Sequence, residues 1–345
     1  MKEKEEGMIK LSRSFAALIL GAAVLAGMGA PARAQVELRL STFVPPVHII
    51  YREILVPWAA DVEKATQGEV KVTLYPSMQL GGKPPELFRQ VVDGVVDMVF
   101  TLPGYTSPAF PRVGIIELPG LKRDGFAATD MMWDLLDPYL LPEFQGTKVI
   151  ALWGAEDAGL MTRTDKAYRS MDDLKGLRIR APSAAQAKQI QFMGAVPIAA
   201  PITEVYPGLE RGTMDGAMVP FTTILDFRLG EVARGFTISG PIFGRSVFLV
   251  AMNQKKYDSL SPAARAAIDK LSGRALSRKA TEVYIKRAEE AVKSVRGKAD
   301  VVELSKAEQD RIGKTLRPII DEWINESESK GIPARDMLKR AGFAL

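Results

Sequence analysis

Short stretches along the chain are apolar throughout or alternate apolar with polar residues: Val36 to Thr42, Val70 to Tyr75, Met98 to Thr101, Val149 to Trp153, Leu177 to Ala181, Met214 to Val219 and Val247 to Met252. Such runs, bounded by Gly, Pro, Asn or Asp, predict strands. Between them the period lengthens. Ile50, Ile54, Trp58 and Val62 fall on one face of a helix closed by Gly68, Leu87 to Val92 forms a second helix, and Phe126 to Leu136 a third. Pro57 lies inside the first and should start its main part or kink it. Ser170 with Asp173 and Ser305 with Glu308 fit capping boxes, and Ser261-Pro262 fits an N-cap followed by N1. Strand alternating with helix predicts the α/β class, as in a doubly wound protein.

The longest periodic stretch runs from Pro262 to about Arg296, with Glu282 to Lys286 and Glu289 to Lys293 at the favourable i, i+4 spacing. At 1.5 Å per residue one helix there would reach ~50 Å, longer than one domain is wide, and would lean across two. Gly273 is the place where it could split. No internal repeat, low-complexity tract or flexible linker is visible, which predicts two lobes joined by crossing strands and not by a tether.

The length of 345 residues suits two domains at ~100 to 200 each, and 47% hydrophobic with 25% charged residues is the composition of a folded protein. The formal charge of +5 is spread without a basic block, so nucleic acid is not an expected partner. There is no cysteine and one histidine, His48. That removes Cys nucleophiles, Cys-held metals and disulfides, and any Ser/His triad not built on His48.

Lys10 and Arg13 precede an uncharged apolar run from Phe15 to Met28, followed by Gly29, Ala30, Pro31 and the small-x-small triplet Ala32-Arg33-Ala34. The order reads as a secretory signal peptide over 1–34, with the mature chain beginning at Gln35. The alternative, a transmembrane anchor, needs ~20 apolar residues, and this run is shorter and rich in Ala and Gly. Without a cysteine at the cleavage site no lipid anchor is expected, and so no stable membrane insertion after cleavage. Met8 is a second candidate start.

No P-loop, GxGxxG, HExxH or GxSxG motif occurs, and the one SxxK match, Ser327 to Lys330, sits in the polar end of a helix. The pairs Glu156-Asp157 and Asp172-Asp173 are poor candidates for acid/base work: neighbours on a strand face opposite ways, and the second pair fits a helix start. What stands out is the stretch Asp172 to Pro182, where a glycine turn launches a strand with Leu177 and Ile179 on one face and Arg178 and Arg180 on the other. Strand C-terminal ends are where open α/β sheets hold ligands, and an arginine there presents two parallel N–H donors to a carboxylate. From periodicity alone, a surface arginine pair remains an equal reading.

Several blocks occur together: Gly68-Glu69-Val70-Lys71-Val72 with Tyr75-Pro76 and Gln79-Leu80-Gly81; Asp93-Gly94-Val95-Val96-Asp97-Met98; Asp173 to Arg180; Gly194-Ala195; Glu204 to Gly212; and Asp215-Gly216. In this order they resemble the solute receptors of TRAP (tripartite ATP-independent periplasmic) transporters, the DctP-like family, over essentially all of 36–345. The resemblance implies a two-lobed periplasmic solute-binding fold, type II-like, with a cleft between the lobes, hinge strands and a long lobe-spanning helix. Lobe 1 would comprise 35–157 with about 248–280, and lobe 2 would comprise 158–247 with about 281–345, the crossings falling near Ala158 and Val247. It implies a periplasmic receptor, not an enzyme, that closes on a small organic acid and delivers it to membrane permease subunits for uptake driven by an ion gradient. No cofactor is implied, and no metal, because the carboxylate some relatives use near Met218 is missing.

The family's carboxylate-binding arginine matches Arg180; Arg178 falls on a preceding, usually basic position. Where the sialic-acid branch has a second arginine this chain has Asp157, with Arg163 the nearest cation downstream. Polar positions of that branch are replaced by Leu102, and by Val219 ahead of Pro220 and Phe221. With Trp153, Phe243, Phe43 and Tyr105 expected nearby, the cleft reads as apolar around one cation, favouring a monocarboxylate with an apolar or aromatic body. His48 lies in the loop after the first strand, which lines the cleft in this family. Two other readings stay open: an exported lyase or isomerase of small acids using Glu156 or Asp157 as base, and a ligand sensor docking on a signalling partner.

Overall fold

The computed structural model describes residues 35–120 and 124–343; the expected signal peptide lies outside them. Eleven strands run through the described residues: β1 (Val36–Thr42), β2 (Val70–Tyr75), β3 (Met98–Thr101), β4 (Thr147–Gly154), β5 (Ala158–Thr162), β6 (Arg178–Ala181), β7 (Val196–Ala199), β8 (Gly216–Pro220), β9 (Gly235–Ile238), β10 (Val247–Asn253) and β11 (Asp300–Glu303). They form two sheets, one in the order β2-β1-β3-β10-β4 and the other β11-β9-β5-β8-β6-β7. This is a mixed α/β, two-lobed architecture.

Neither sheet is the all-parallel one that strict strand–helix alternation suggests. The antiparallel pairs arise where the chain changes sheets. It leaves the first sheet on β4, runs through 155–157 and enters the second on β5, which pairs antiparallel with β8 and β9. It returns from β9 through 239–246 to β10, which pairs antiparallel with β3 and β4. The two connections are tied together by the Ala155 N–H donating to the Ser246 carbonyl at 2.8 Å.

Helices pack around the sheets, among them α1 (Val56–Ala65), α2 (Leu87–Val92), α3 (Gly125–Leu135), α4 (Ala184–Phe192), α5 (Pro262–Leu271) and α6 (Gly273–Val295). Ahead of Pro57 the chain forms a π-turn over Tyr51–Leu55, where the ring and the missing N–H disturb regular i→i−4 bonding. The expected single helix from Pro262 to Arg296 is two. Ser272 is extended and Gly273 has φ +80°, a conformation a side chain would strain, so the break falls there. What remains is α6, whose 23 residues span ~35 Å.

α6 lies against β4, α3 and the short helix Thr223–Asp226. Two of its buried polar side chains are matched: Ser277 accepts the Leu152 N–H at 2.9 Å, and the Thr281 and Thr129 hydroxyls share a hydrogen bond of 2.8 Å. Ser277 takes that N–H near a bulge, where β4 and β10 shift register between Val250 and Ala251. The core of the first sheet is a stack of rings, Phe100 on Trp153 at 5.5 Å and Trp153 on Phe248 at 5.5 Å, each pair adding ~0.5 to 1.5 kcal/mol to the burial of its area.

Candidate ligand-binding site

Arg180 sits on β6, between parallel neighbours β7 and β8, and is 2% exposed. Its Nε donates to the Ala200 carbonyl at 2.8 Å and its Nη1 to the Met218 carbonyl at 3.2 Å, with the Tyr105 phenol as a further neighbour. Among the described residues no carboxylate pairs with it. Burial accordingly depresses the guanidinium's pKa, and only Tyr105 opposes that. Arginine stays charged even so, so a full positive charge is held in the interior by neutral dipoles.

The other arginines singled out in the sequence differ. Arg178 forks onto Asp215, Nε to Oδ2 at 3.0 Å and Nη2 to Oδ1 at 2.8 Å. Arg163 stands over Gly212 within the field of the same Asp215. Arg245 pairs with Asp157 and donates to the Ala155 carbonyl at 2.9 Å, bracing the two inter-sheet connections. Glu156, beside Asp157, takes a different partner, accepting the Thr222 N–H at 2.9 Å.

Arg180 opens onto a small cavity between the sheets, about 30 Å³, walled from both. Phe43 and His48 come from the loop after β1, Leu102 and Tyr105 from the segment after β3, and Phe248 from β10. Facing them are Pro220 at the end of β8 and Thr222 and Phe227 from the chain beyond it, with Tyr284 on α6 completing the wall. The rings touch: Phe43 with Tyr105 and Phe227, and Phe248 with Tyr284 at 4.8 Å, nearly parallel. Tyr105 also ties the sheets together, its hydroxyl accepting the Ile202 N–H at 3.1 Å.

His48 is buried, and its Nδ1 accepts the Ile50 N–H at 3.1 Å. Burial, reinforced by the Arg287 charge, pushes its pKa down to about 3. Asp226 lies 3.9 Å from Nδ1 but binds the Ile49 N–H and Arg287 instead, so the imidazole is neutral with its proton on Nε2.

Of the residues picked out from sequence, Arg180, Phe43, His48, Leu102 and Tyr105 line this cavity. Trp153 backs it, fully buried behind Phe248. Val219 and Phe243 are buried outside the lining, and Phe221 covers Gly159, where a Cβ would lie 2.3 Å from the ring. Asp157 and Arg163 are engaged elsewhere, as described. Phe248, Tyr284, Phe227 and Thr222 went unnoticed: the first two sit on the expected strand and helix, but periodicity marks them only as buried.

A larger hollow of about 360 Å³ lies between the 103–118 segment, α4 and the helix Pro318–Glu328. Its ionisable groups suit a carboxylate poorly. Lys188 is already paired with Glu322 and Glu326, and burial raises the Glu117 carboxyl to about 7. Among the described residues no cluster of three His, Cys, Asp or Glu could hold a metal ion, and no helix is long and apolar enough to cross a membrane.

Comparison with known proteins agrees with this architecture. The chain matches the family described as bacterial extracellular solute-binding protein, family 7 (DctP), over residues 40–327. A solute-binding protein of Verminephrobacter eiseniae is 28% identical over 259 residues, covering 74% of this chain and 76% of that one. A TRAP solute-binding protein from Rhodoferax ferrireducens, solved with copurified benzoate, superposes with a TM-score of 0.86 at 29% identity, over 89% of this chain and 96% of its own. A marine metagenome TRAP solute-binding protein specific for aromatic acid ligands, solved with 3-hydroxybenzoate, gives 0.85 at 30% identity, over 89% and 97%. With the family matched across most of its length and its fold shared with TRAP receptors, the chain belongs to the DctP family of TRAP solute-binding proteins and is a receptor, not an enzyme.

Proposed function

We propose that this receptor captures a monocarboxylate with an apolar, aromatic body, pairing its carboxylate with Arg180, and delivers it to a membrane permease from the periplasm after export and loss of residues 1–34. The observation that carries this reading is the Arg180 charge, buried and met only by carbonyls and a phenol. A buried charge without a counter-ion is costly, and a bound carboxylate in fork geometry relieves it. His48, with its proton on Nε2, offers the anion a second donor.

The remaining wall supports the choice of body. Phe43, Phe227, Phe248 and Tyr284 present ring faces, and Arg180 is the one cationic side chain among the described lining residues. A second carboxylate would have no cation to meet it, and an unpaired buried polar group costs ~1 to 3 kcal/mol. The solved relatives that hold benzoate and 3-hydroxybenzoate favour the same class.

Calorimetry of the purified protein against benzoate, phenylacetate, branched aliphatic monocarboxylates, succinate, malate and glucuronate tests the reading. Aromatic or branched monocarboxylates should bind tightest, and at 100 times the dissociation constant the ligand should stabilise the protein by ~2.7 kcal/mol. A dicarboxylate or uronate as the tightest ligand overturns it.

A further inference from the structure

Tyr105 and Arg180 line the same cavity from different sheets. Tyr105 belongs to the segment that leaves β3 of the first sheet, whereas Arg180 lies on β6 of the second and Ile202 follows β7 of the second. The Tyr105 ring is held edge-on against Phe43 at 5.8 Å between centroids. Its oxygen is where the two sides meet, for it receives two donors, the Ile202 N–H at 3.1 Å and the Arg180 guanidinium.

A phenol that accepts from two N–H groups still carries a proton of its own. Burial raises the Tyr105 phenol above its ordinary value even beside the Arg180 charge, so that proton stays on the oxygen. Among the described residues no carbonyl, carboxylate or hydroxyl accepts it. In a cavity walled by rings, a donor without an acceptor carries a desolvation cost that an anionic occupant removes. The direct hydrogen bond between Tyr105 and Arg180 places an acceptor paired with Arg180 beside this hydroxyl. A carboxylate has about four lone-pair sites; the Arg180 fork fills two and the His48 Nε2–H a third, which leaves one for Tyr105.

We propose that Tyr105 is a further ligand-binding residue, its hydroxyl donating to the carboxylate that Arg180 holds. This rests on the reading of Arg180 as the carboxylate anchor. The two N–H groups on the Tyr105 oxygen serve the same end. They occupy its acceptor positions, which leaves the proton to point away from both, and they polarise the O–H bond, which strengthens the bond it donates. An O–H donated to a carboxylate is charge-assisted and roughly twice as strong as a bond between neutral groups. Because the phenol comes from the first sheet's side and the guanidinium from the second, the anion meets its full set of donors only where the two sides of the cavity are together.

The test is calorimetry with benzoate at about pH 6 on the purified wild-type protein, on Tyr105→Phe and Arg180→Ala, and on protein carrying 3-fluorotyrosine or 3,5-difluorotyrosine at position 105. Ring fluorines make the phenol a stronger donor and a weaker acceptor while keeping its shape. Tyr105→Phe should weaken benzoate by about tenfold or more, and Arg180→Ala by about thirtyfold or more. Along the series tyrosine, 3-fluorotyrosine, 3,5-difluorotyrosine the affinity should rise stepwise, by about threefold in all. The fluorinated proteins keep the ring and the oxygen, so they decide the question even where Tyr105→Phe does not fold. A phenol that only accepts from Arg180 and Ile202 gives the opposite slope, and affinity that falls or stays flat along the series would overturn the donor. Tyr105→Phe within about twofold of wild type, with Arg180→Ala weakened as expected, would also overturn it and leave the anchor standing. Arg180→Ala within about threefold of wild type would overturn the anchor and the donor together.

Discussion

The two arginines of β6 stand two residues apart on the same face of one strand, in opposite electrostatic surroundings. Arg178, at the strand's beginning, is 44% exposed and grips both oxygens of Asp215, which the turn before β8 carries. Arg180, at the strand's end, is buried and meets only carbonyls and a phenol. An ion pair already formed contributes structure. A buried charge left for an outside partner costs stability until the partner arrives, and the free energy released on its arrival is available to binding. On the proposed reading of Arg180, position along the strand decides which, because ligands in open α/β sheets gather beyond the carboxyl ends.

The contrast breaks most readily at Arg180. Arg180→Ala should weaken binding of the preferred acid by ~2 to 5 kcal/mol, the loss seen when one member of a buried charge pair is removed. That is roughly thirty- to several-thousand-fold. Arg180→Lys should also lose heavily, since a point charge cannot reproduce the fork. Without ligand, Arg180→Ala, which removes the unpaired charge, should melt at or above the wild-type temperature. Affinity of Arg180→Ala within about threefold of wild type, measured by calorimetry, would show that the carboxylate is held elsewhere.

Most of the elements around this contrast were legible. β1, β2, β3 and the helix Leu87–Val92 fall at the expected residues because their apolar runs are bounded by strong turn residues. β5, β7, β9 and β11 were not foreseen. β5, Ala158–Thr162, is buried on both faces and shows no alternation; β7 contains Pro197 and lies at a sheet edge, where a missing N–H is tolerated. At the site, Arg180 could be reached from its strand end and its family motif. Phe227, Phe248, Tyr284 and Thr222 could not, because a cavity wall is assembled from strands and helices distant in sequence, while periodicity reports only which face is buried.

Arg245 sharpens the comparison from the structural side. It is 3% exposed, pairs with Asp157 and holds the Ala155 carbonyl at 2.9 Å, so it braces both inter-sheet connections. Arg245→Ala should cost about 2 to 3 kcal/mol of unfolding free energy, below the ~3 to 5 kcal/mol of a wholly buried pair because solvent screens part of Asp157. Denaturant titration measures it. A loss under ~0.5 kcal/mol, of the kind seen for an exposed pair, would place Arg245 with the surface arginines.

Glu156 is the acidic counterpart of Arg180, buried with no cation paired to it among the described residues, and burial raises it to about 7, as it does Glu117 and Glu143. Between the ordinary carboxyl value of 4.5 and about 7 the folded state holds protons that the unfolded chain has released, so stability falls as pH rises through that window. His48, pushed to about 3, acts oppositely up to 6.5, but it is one group against three. The ligand-free protein should therefore melt several degrees lower at pH 7.5 than at pH 5.5, and Glu156→Gln should flatten the profile. Scanning calorimetry showing a flat or rising profile between those values would contradict the burial argument.

The smallest effect is expected at Arg178, where two readings of the same side chain can be separated. If its role is the ion pair with Asp215, then Arg178→Ala removes a half-exposed pair of good geometry, and stability should fall only slightly. Asp215 also loses the partner that holds its carboxyl below the ordinary range, with the guanidinium hydrogen bonds the largest cause. A depressed carboxylate contributes stability above its unfolded pKa and loses it as pH falls through the folded one. The difference between wild type and Arg178→Ala should thus be full at neutral pH and shrink below pH ~4, where the unfolded carboxylate protonates. Raised salt should shrink it too. Affinity for the acid should stay within about threefold, because the guanidinium already spends its fork on Asp215 and reaches the Gly212 carbonyl at 2.7 Å on the side of the turn, away from the lining of the cavity. A tenfold or greater loss of affinity with unchanged stability would instead make Arg178 a second clamp on the ligand, and the division of labour between the two arginines of β6 would have to be abandoned.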